Sequence, residues 1–377
     1  MNFQYTEDQQ LIEQGARDFA KEYLDPIAVQ MDETGEFPRD VVKKMADHDF
    51  LGLNLSSEVG GAEAGFVTYV AVIEALSRSC AAVTTIMNHH AMASYAIQNW
   101  GNETLKKQYL PAMAKGEILG ALALYEHGPT PGIGDTAVTA TKRDDGSYAL
   151  TGTKEYVRNA GEAGVYVVTA VTEADHPKSA MAFVVDAKAP GLKLGEKIRT
   201  MGLRGCPVAH VVFEGVVVPA SAVLGAVNGG TEIINRVLAL SALAEAAQTV
   251  GIGQAAVEHA AAYAKQRVQF GKPVFKFPAV QAMLADSATD CHVARLTLHH
   301  AAQLVDDGKP FEVESAIMKS FLTRQGSKIL IDTCQVEGGM GYVENMPLPR
   351  LFRDITGTTL QDAPGDAPER TIAMSIA

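Results

Sequence analysis

Residues 237–269 constrain the fold of this chain more than any other stretch. They read VLALSALAEAAQTVGIGQAAVEHAAAYAKQRVQ, are rich in alanine and carry apolar side chains on most helical faces. A helix that is apolar around most of its circumference is expected to be buried, either within the chain alone or partly against another subunit. We therefore predict a long central helix. Because Glu245 interrupts its most apolar part, a membrane-spanning segment is not expected.

Two patterns of residues precede this helix. From Thr6 to about residue 115, apolar residues recur at helical spacing, and Thr6 with Gln9 predicts an N-terminal capping box. Between about 120 and 224, valine, threonine and tyrosine alternate with polar residues, which is typical of strands. Within that part, Asp145-Gly146 predicts a hairpin turn. A helical region is therefore expected to be followed by a small β domain.

Helical spacing returns from Gly229 and continues in two further predicted helices, near 279–307 and 312–336. The order helical, β, helical indicates an α+β fold. The predicted domains are an N-terminal helical domain (1–118), a middle β domain (119–226) and a C-terminal helical domain (227–377).

Charge and cysteine usage exclude several classes of protein. The net charge of −12 disfavours nucleic acid or an anionic membrane as the main partner. The N-terminus, MNFQYTEDQQ, is polar and acidic, unlike a signal peptide. The four cysteines are scattered without CxxC spacing, so neither a metal site nor a disulfide framework is predicted. A cytoplasmic protein is expected.

Four ordered segments carry a resemblance to a known family. They are LTGTKEYVRNAG (150–161), MGLRG (201–205) before HVVFEGVVVPASAVLG, QRVQFGKPVFKFPAVQAMLAD (266–286) and QVEGGMGYVENMPLPRLFRD (335–354). With these segments the chain resembles the acyl-CoA dehydrogenase family over essentially its whole length. The resemblance implies a C-terminal four-helix bundle and FAD held between the β domain and the C-terminal helices. It also implies an acyl-CoA substrate, an electron-transfer flavoprotein as acceptor, and a homotetramer in which one subunit completes its neighbour's flavin site.

The resemblance assigns cofactor contacts in the β domain. Leu122, Leu124 and Tyr125 match a strand that lies against the isoalloxazine ring, and Tyr156 matches an aromatic residue that stacks on the flavin. Arg158 stands where the family has a threonine near flavin N5. An arginine there would add positive charge and favour the anionic reduced flavin, unless its side chain points to solvent.

A second set of cofactor contacts is implied in the C-terminal domain. Arg267 and Phe270 match positions that hold the adenine and pyrophosphate side across the subunit boundary. Gln335 and Gly339 match a glycine turn that approaches the pyrophosphate. Arginine offers a planar fork for phosphate, and glycine permits close approach of the backbone. Alone, the glycines would be explained as well by a tight turn after a helix.

The sequence departs most from the family pattern at the position of the catalytic base. The family carries a glutamate, typically within Tyr-Glu-Gly-Thr, that removes the α-proton of the thioester. Counting forward from Asp354 places Asp362 at that position, whereas counting backward from Arg370 places Ala363 there. An aspartate is a competent base but is shorter by roughly 1.3–1.5 Å. Misplacement by about 1 Å can cost on the order of a hundredfold in rate, so either the segment comes closer or the substrate is bulkier at Cα, as an α-branched or alicyclic acyl group would be. Otherwise Asp362 is a solvated aspartate of a loop.

Two further residues are candidates for the base. Glu245 is a charged residue in an Ala/Leu run, one turn after Ser241, the position where some family members place the glutamate. It would be either a displaced base or part of a structural pair. His90, beside His89, lies in the helix that lines the acyl pocket of this family and is either a base or a structural histidine.

Three functions remain open at the level of the sequence. The leading prediction is an FAD-dependent acyl-CoA dehydrogenase that makes an α,β-enoyl-CoA. The altered catalytic segment, Arg158 and the loop HGPTPGIGD (127–135), which lacks the family's serine, also allow a flavoenzyme with altered chemistry. Examples are enoyl-CoA reduction, 1,4-dehydrogenation or elimination. A catalytically silent flavin-binding protein is the third alternative.

Overall fold

The N-terminal part of the chain is helical. The computed structural model describes residues 5–126, 138–173, 179–360 and 367–377. In α1 the Thr6 hydroxyl accepts from the Gln9 N–H at 3.2 Å and the Gln9 side chain accepts from the Thr6 N–H at 2.9 Å, so the predicted capping box is confirmed. The helices are α1 (Glu7–Phe19), α2 (Ala28–Thr34), α3 (Arg39–Asp47), α4 (Gly65–Ser77), α5 (Ala81–Trp100) and α6 (Glu103–Ala114).

A mixed sheet forms the middle of the chain. Its strands are β1 (Leu119–Ala123), β2 (Thr139–Lys142), β3 (Tyr148–Arg158), β4 (Ala163–Val171), β5 (Ala180–Asp186), β6 (Leu192–Lys197), β7 (Val208–Val218) and β8 (Val223–Leu224). Their order is β6-β7-β3-β2-β4-β5-β8, and β1 lies parallel to β4. The Arg143 N–H donates to the Ser147 carbonyl at 2.8 Å and Gly146 has φ 83°, which confirms the predicted hairpin turn.

The C-terminal part is again helical and is built around one long helix. Its elements are α7 (Gly230–Gln266), a hairpin of β9 (Val268–Gln269) and β10 (Lys272–Pro273), α8 (Pro278–Asp306), α9 (Glu312–Glu337), α10 (Pro347–Leu360) and α11 (Ala367–Ser375). α7 passes close to α4 at Gly251, where a Cβ would lie 2.4 Å from the Glu74 carbonyl oxygen. The predicted central helix is confirmed, and so is the α+β order. Across the described ranges, no helix has the length and apolar character that a bilayer crossing requires.

β1 stands at the boundary between two hydrophobic cores. One core joins the N-terminal and C-terminal helices, and Leu122 and Leu124 belong to it. The other lies within the sheet domain and includes Ala121 and Ala123. Because side chains alternate between the two faces of a strand, β1 contributes to both cores at once. This strand therefore fixes the sheet against the helices.

Two of the family-specific segments meet in the structure. The Leu203 N–H donates to Asp354 Oδ1 at 2.6 Å, and Arg353 forms an ion pair with Asp32 at 2.5 Å. A Cβ on Gly202 would lie 2.3 Å from the carbonyl carbon of Arg353, so only glycine fits at this contact. The MGLRG turn of the β domain is thus docked on α10, which is also tied to α2.

Candidate active site

The start of β1 is held by two side chains along the edge that does not pair with β4. The Gly120 N–H donates to His90 Nδ1 at 3.1 Å, and Asn159 Nδ2 donates to the Gly120 carbonyl at 3.2 Å. Alternate residues of a strand direct their main-chain groups to the same edge, so those of Leu122 point to this edge too. The side chains of Leu122 and Leu124 are buried in the helical core. A cofactor at this edge would meet their backbone.

His90 is engaged through both ring nitrogens. Nδ1 accepts from Gly120, and Nε2 lies 3.2 Å from the Leu51 carbonyl. These partners require the neutral tautomer that carries its hydrogen on Nε2. Burial lowers the pKa of His90 to about 4, so the neutral ring persists at physiological pH. The geometry argues against the predicted base role of His90, because neither nitrogen is available to a substrate.

Lys154 binds the main chain just after the C-terminal end of β1. It is fully buried, donates to the Leu124 carbonyl at 3.1 Å and to Thr169 Oγ1 at 2.8 Å, and pairs with Glu126. Burial lowers the pKa of Lys154 to about 8. These contacts of Lys154 were not predicted from the sequence. The available signal was the alternation in β3, which places Lys154 on the same inward face as Leu150.

Tyr125, Tyr156 and Arg158 lie around the end of β1. The Tyr125 carbonyl accepts the Glu155 N–H at 2.8 Å, which joins the end of β1 to a bulge in β3. In that bulge Tyr156 has φ 53°, and its ring is 60% exposed, edge-on to His210 at 5.7 Å. Arg158 follows at the last position of β3 and is half-exposed. An exposed aromatic face near the end of β1 suits the binding of a flat ring.

The other cofactor candidates cluster at one end of the C-terminal helices. Arg267 directly follows α7, and Phe270 is 91% exposed in the hairpin that comes next. Gln335 and Gly339 lie at the end of α9 and are exposed. Val336 packs in one small core with the ends of α7 and α8, so these four residues share one end of the bundle.

One chain does not bring the two groups of candidates together. α7 contacts the elements around β1 near Ser241, whose hydroxyl accepts from Asn88 of α5 at 2.9 Å. Arg267 is 26 positions further along the chain, about 40 Å at the rise of an α-helix. The candidates from 122 to 158 and those from 267 to 339 therefore form separate surfaces of the same chain.

Glu245 is an ion-pair partner in the helical core. Its carboxylate lies 2.5 Å from Lys319 Nζ, which also donates to the Thr358 carbonyl at 2.9 Å. The pair holds this carboxylate within the helical core, where Glu245 is 1% exposed. The third candidate, Asp362, lies outside the described residues, as does the loop 127–135, and α10 is described to Leu360.

Family models cover nearly the whole chain. The acyl-CoA dehydrogenase N-terminal, middle and C-terminal domains match residues 6–117, 125–216 and 228–376. The chain belongs to the acyl-CoA dehydrogenase family. The resemblance carried by the four sequence segments is thereby confirmed.

Individual relatives of this acyl-CoA dehydrogenase align along their full length. It is 36% identical over 373 residues to an acyl-CoA dehydrogenase of Bacillus subtilis, which covers 98% of both chains. It is 35% identical over 374 residues to a 3-(aryl)acrylate reductase of Clostridium sporogenes, which covers 99% of both. The solved structure of butyryl-CoA dehydrogenase from Megasphaera elsdenii superposes with a TM-score of 0.97 at 30% identity, over 100% of both chains.

The dehydrogenase is an FAD-dependent oxidoreductase that acts on acyl-CoA. The structure of PigA with FAD and proline has the same fold, with a TM-score of 0.94 at 27% identity over 100% of this chain and 99% of that one. The residues of this chain fit the cofactor. β1 offers a main-chain edge, Tyr156 an exposed ring, and Gly339 an open approach, because a Cβ there would meet no atom within 4 Å. As the chain is an enzyme, the catalytically silent alternative is set aside.

Proposed function

We propose that Asp362 removes the α-proton of a bound acyl-CoA in this dehydrogenase. The electron pair of the broken Cα–H bond forms the α,β double bond, and hydrogen leaves Cβ with its own electron pair. Bound FAD would supply the hydride acceptor, its N5 atom. The observation that supports Asp362 is that the other two candidate bases are occupied: Glu245 by Lys319 and His90 by two main-chain groups. Asp362 also comes two positions after Leu360, to which α10 is described.

The substrate that we propose is an acyl-CoA with a bulky, α-branched or alicyclic acyl group. An aspartate ends about 1.3–1.5 Å short of a glutamate carboxylate on the same backbone. A bulkier acyl group would occupy the extra space and hold its Cα proton closer to the shorter base. This inference rests on side-chain length and on the loss of activity, about a hundredfold, that misplacement by 1 Å can cause.

A flavin-bleaching experiment tests both proposals. We expect isobutyryl-CoA or cyclohexanecarbonyl-CoA to reduce the bound flavin faster than butyryl-CoA under anaerobic conditions. Asp362→Asn should slow this reduction by roughly a hundred- to ten-thousandfold, the range that general-base catalysis contributes. Asp362→Glu should retain activity and shift the preference towards butyryl-CoA. Bleaching of Asp362→Asn at the wild-type rate would show that another residue is the base.

We further propose that the flavin site is completed by a second subunit of a homotetramer. The first group of cofactor candidates lies around β1, and Arg267 of the second group lies about 40 Å along α7 from Ser241, where that helix contacts α5, which supports a site shared between chains. Phe270 is 91% exposed and Tyr342 is 92% exposed, and exposed aromatic side chains of this kind suit an interface. The electron acceptor that we propose is an electron-transfer flavoprotein.

A second candidate function is the reverse reaction, reduction of an activated double bond. The observation that favours it is the 35% identity to a 3-(aryl)acrylate reductase over 99% of both chains. Arg158 is compatible with it, because positive charge near flavin N5 would stabilise anionic reduced flavin. Reoxidation of the chemically reduced enzyme distinguishes the two directions. Faster reoxidation by an enoyl-CoA or an arylacrylate than by an electron-transfer flavoprotein would identify a reductase.

A further inference from the structure

A histidine and a glutamate form a pair where α9 meets the glycine turn that contains Gly339. Nδ1 of His259, in α7, lies 2.6 Å from Oε1 of Glu337, the last residue of α9. The Glu337 side chain is fully buried, whereas the imidazole is 33% exposed and open to solvent. Gly338 has φ 62°, so the chain turns away from the helix directly after this carboxylate. The pair therefore ties α7 to the residue that precedes the turn.

The carboxylate of Glu337 needs a positive partner. Its second oxygen, Oε2, is buried and accepts no hydrogen bond within the part of the chain that the structure describes. The last carbonyls of a helix carry partial negative charge, which disfavours a carboxylate at that end. A buried carboxylate is costly unless a cation lies beside it. Protonated His259 supplies that cation.

Few other titratable groups act on His259. Glu337 faces it from α9 and raises the pKa of His259 by hydrogen bond and charge, although partial burial opposes the shift. Across the described ranges, no charged group of α7, α8 or the β9–β10 hairpin contributes to this shift. The adjacent Glu258 is exposed and pairs with Arg78. Burial and Glu337 raise the pKa of the Cys334 thiol, one turn earlier in α9, so that thiol stays neutral. The proton of His259 therefore sets the net charge of this junction near neutral pH.

The pair lies close to the backbone of the glycine turn. Gly339 follows Glu337 by two positions, so their Cα atoms are at most about 7.6 Å apart. Val336 and Ala260 share one small core, which fixes this end of α9 against α7. At an effective dielectric constant of about 20, a negative charge roughly 10 Å from an imidazole favours its protonated form on the order of tenfold. A diphosphate at the turn would therefore hold the proton on His259, and by reciprocity that proton would strengthen binding of the diphosphate.

We propose that the His259–Glu337 pair is a proton switch that sets how tightly the glycine turn holds FAD. This inference rests on the proposed function, in which the turn at Gly339 contributes to a flavin site shared between subunits. With the proton on His259 the pair is neutral, and the turn accepts the negative diphosphate. Without that proton, an uncompensated carboxylate remains beside the turn and repels the cofactor. Because the Glu337 side chain is buried, both residues act through the turn and are positioning residues.

Equilibrium dilution of the holoenzyme between pH 6 and 8.5 tests the switch, with released FAD measured by its fluorescence. In the wild type the Kd for FAD should rise roughly tenfold over this range, because His259 loses its proton as the pH rises. The double variant His259→Gln/Glu337→Gln keeps hydrogen-bonding side chains and leaves no buried charge, so folding is retained. Its Kd should stay within about twofold of the wild-type value at pH 6, and it should bind FAD more tightly than the wild type at pH 8.5.

Two further variants separate the switch from a merely structural pair. His259→Gln alone leaves Glu337 without a cation, and at pH 6 it should bind FAD about as weakly as the wild type does at pH 8.5. His292→Gln, at an exposed histidine of α8, should keep the pH dependence of the wild type. Parallel pH profiles in the wild type and the double variant would overturn the proposal. Weaker binding by the double variant at every pH would also contradict it, since that is the effect of lost structure.

Gly339→Ala, measured in the same way, distinguishes failure of the switch from failure of the proposed flavin site. If Gly339→Ala weakens FAD binding while the double variant keeps the wild-type pH profile, the turn stays in the site and only the switch is refuted. If neither variant differs from the wild type in its Kd for FAD, the turn lies outside the site and both proposals are wrong. If the double variant loses the pH dependence but Gly339→Ala binds FAD normally, the pair does not act through the turn, and the switch as proposed is wrong.

Discussion

At the residue scale, His90 serves as a bridge between main-chain groups. This residue of α5 connects the Leu51 carbonyl of the N-terminal domain to the Gly120 N–H at the start of β1. A neutral imidazole supplies one donor and one acceptor on opposite sides of a ring, which fits two such partners. The charged ring would lose the acceptor that Gly120 requires. The protein therefore depends on His90 remaining unprotonated.

This dependence predicts a loss of stability in mild acid. The pKa of His90 is lowered to about 4 by burial, so between pH 6.5 and 4 the unfolded chain takes up a proton that the folded chain does not. The contribution of His90 is present above pH 6.5 and is reduced by about 2 kcal/mol at pH 5. We expect the thermal midpoint of His90→Gln to fall less between pH 7.5 and 5 than that of the wild type.

The exposed His292 provides the control for this comparison. His292→Asn should keep the pH dependence of the wild type. His90→Gln should also be less stable at pH 7.5, because one buried main-chain group loses its partner at a cost of about 1–3 kcal/mol. An identical pH dependence in His90→Gln and the wild type would contradict the bridge.

Which residues could be predicted depends on how far apart their partners are in sequence. The Thr6–Gln9 capping box and the Asp145-Gly146 turn use chemistry within a few positions, and both were predicted correctly. The partners of Lys154 and Lys319 lie 28 and 74 positions away, at Glu126 and Glu245. Only packing of distant elements reveals such pairs. Glu245 drew attention as an isolated charge, but its partner did not.

At the scale of elements, the docking of the MGLRG turn on α10 depends on one buried carboxylate. Asp354 accepts from the Leu203 N–H at 2.6 Å and lies 3.7 Å from Arg350. Burial raises the pKa of Asp354 to about 6, although Arg350 and the Leu203 N–H oppose the shift. The folded chain therefore binds Asp354's proton more tightly than the unfolded chain, so this carboxyl lowers stability as the pH rises from about 3.8 to about 6, and the loss is complete above that range.

Two substitutions of Asp354 should therefore have opposite effects on stability at pH 8. Asp354→Asn keeps an acceptor for Leu203 without a buried charge, and at pH 8 it should be at least as stable as the wild type. Asp354→Ala removes the acceptor and should be less stable by about 1–3 kcal/mol. Thermal unfolding at pH 8 with excess FAD measures both. An alanine variant as stable as the asparagine variant would show that the contact with Leu203 does not hold the turn.

The elements themselves were more predictable than their contacts. α8 and α9 were expected near 279–307 and 312–336 and occur at Pro278–Asp306 and Glu312–Glu337. Hydrophobic periodicity reports which face of an element is buried, and it does so without knowledge of the partner. The parallel pairing of β1 with β4 was not predicted, because strand order depends on contacts that periodicity does not encode.

At the scale of the whole molecule, the residues that we propose for the cofactor site lie on two separate surfaces. The β1 edge with Tyr156 and the glycine turn with Gly339 lie at separate places on one chain. Both groups were predicted through the family resemblance. It could not show their separation, which follows from the length and continuity of α7.

Substitutions at two glycines, Gly339 and Gly341, should separate an effect on FAD binding from an effect on folding. A Cβ at Gly339 would meet no atom within 4 Å, so Gly339→Ala should leave the thermal midpoint of the FAD-free protein unchanged. If its backbone approaches a neighbour's pyrophosphate, FAD affinity should fall roughly tenfold, about 1.4 kcal/mol. Isothermal titration with FAD measures this change.

Gly341 gives the matched comparison. A Cβ there would lie 2.5 Å from the Cys334 carbonyl oxygen, so Gly341→Ala should destabilise the FAD-free protein itself. Undiminished FAD affinity in Gly339→Ala would remove the glycine turn from the proposed cofactor site.

The contact between Gly202 and Arg353 also limits how this protein can be recombined with its relatives. The two residues belong to different domains, yet their backbones are too close for any side chain to intervene at Gly202. A chimaera that takes its β domain from one relative and its last helices from another inherits the two halves of this contact separately. The exchange succeeds only where both parents preserve the same spacing. Substitutions near Gly202 and substitutions near Arg353 should therefore be correlated in natural sequences.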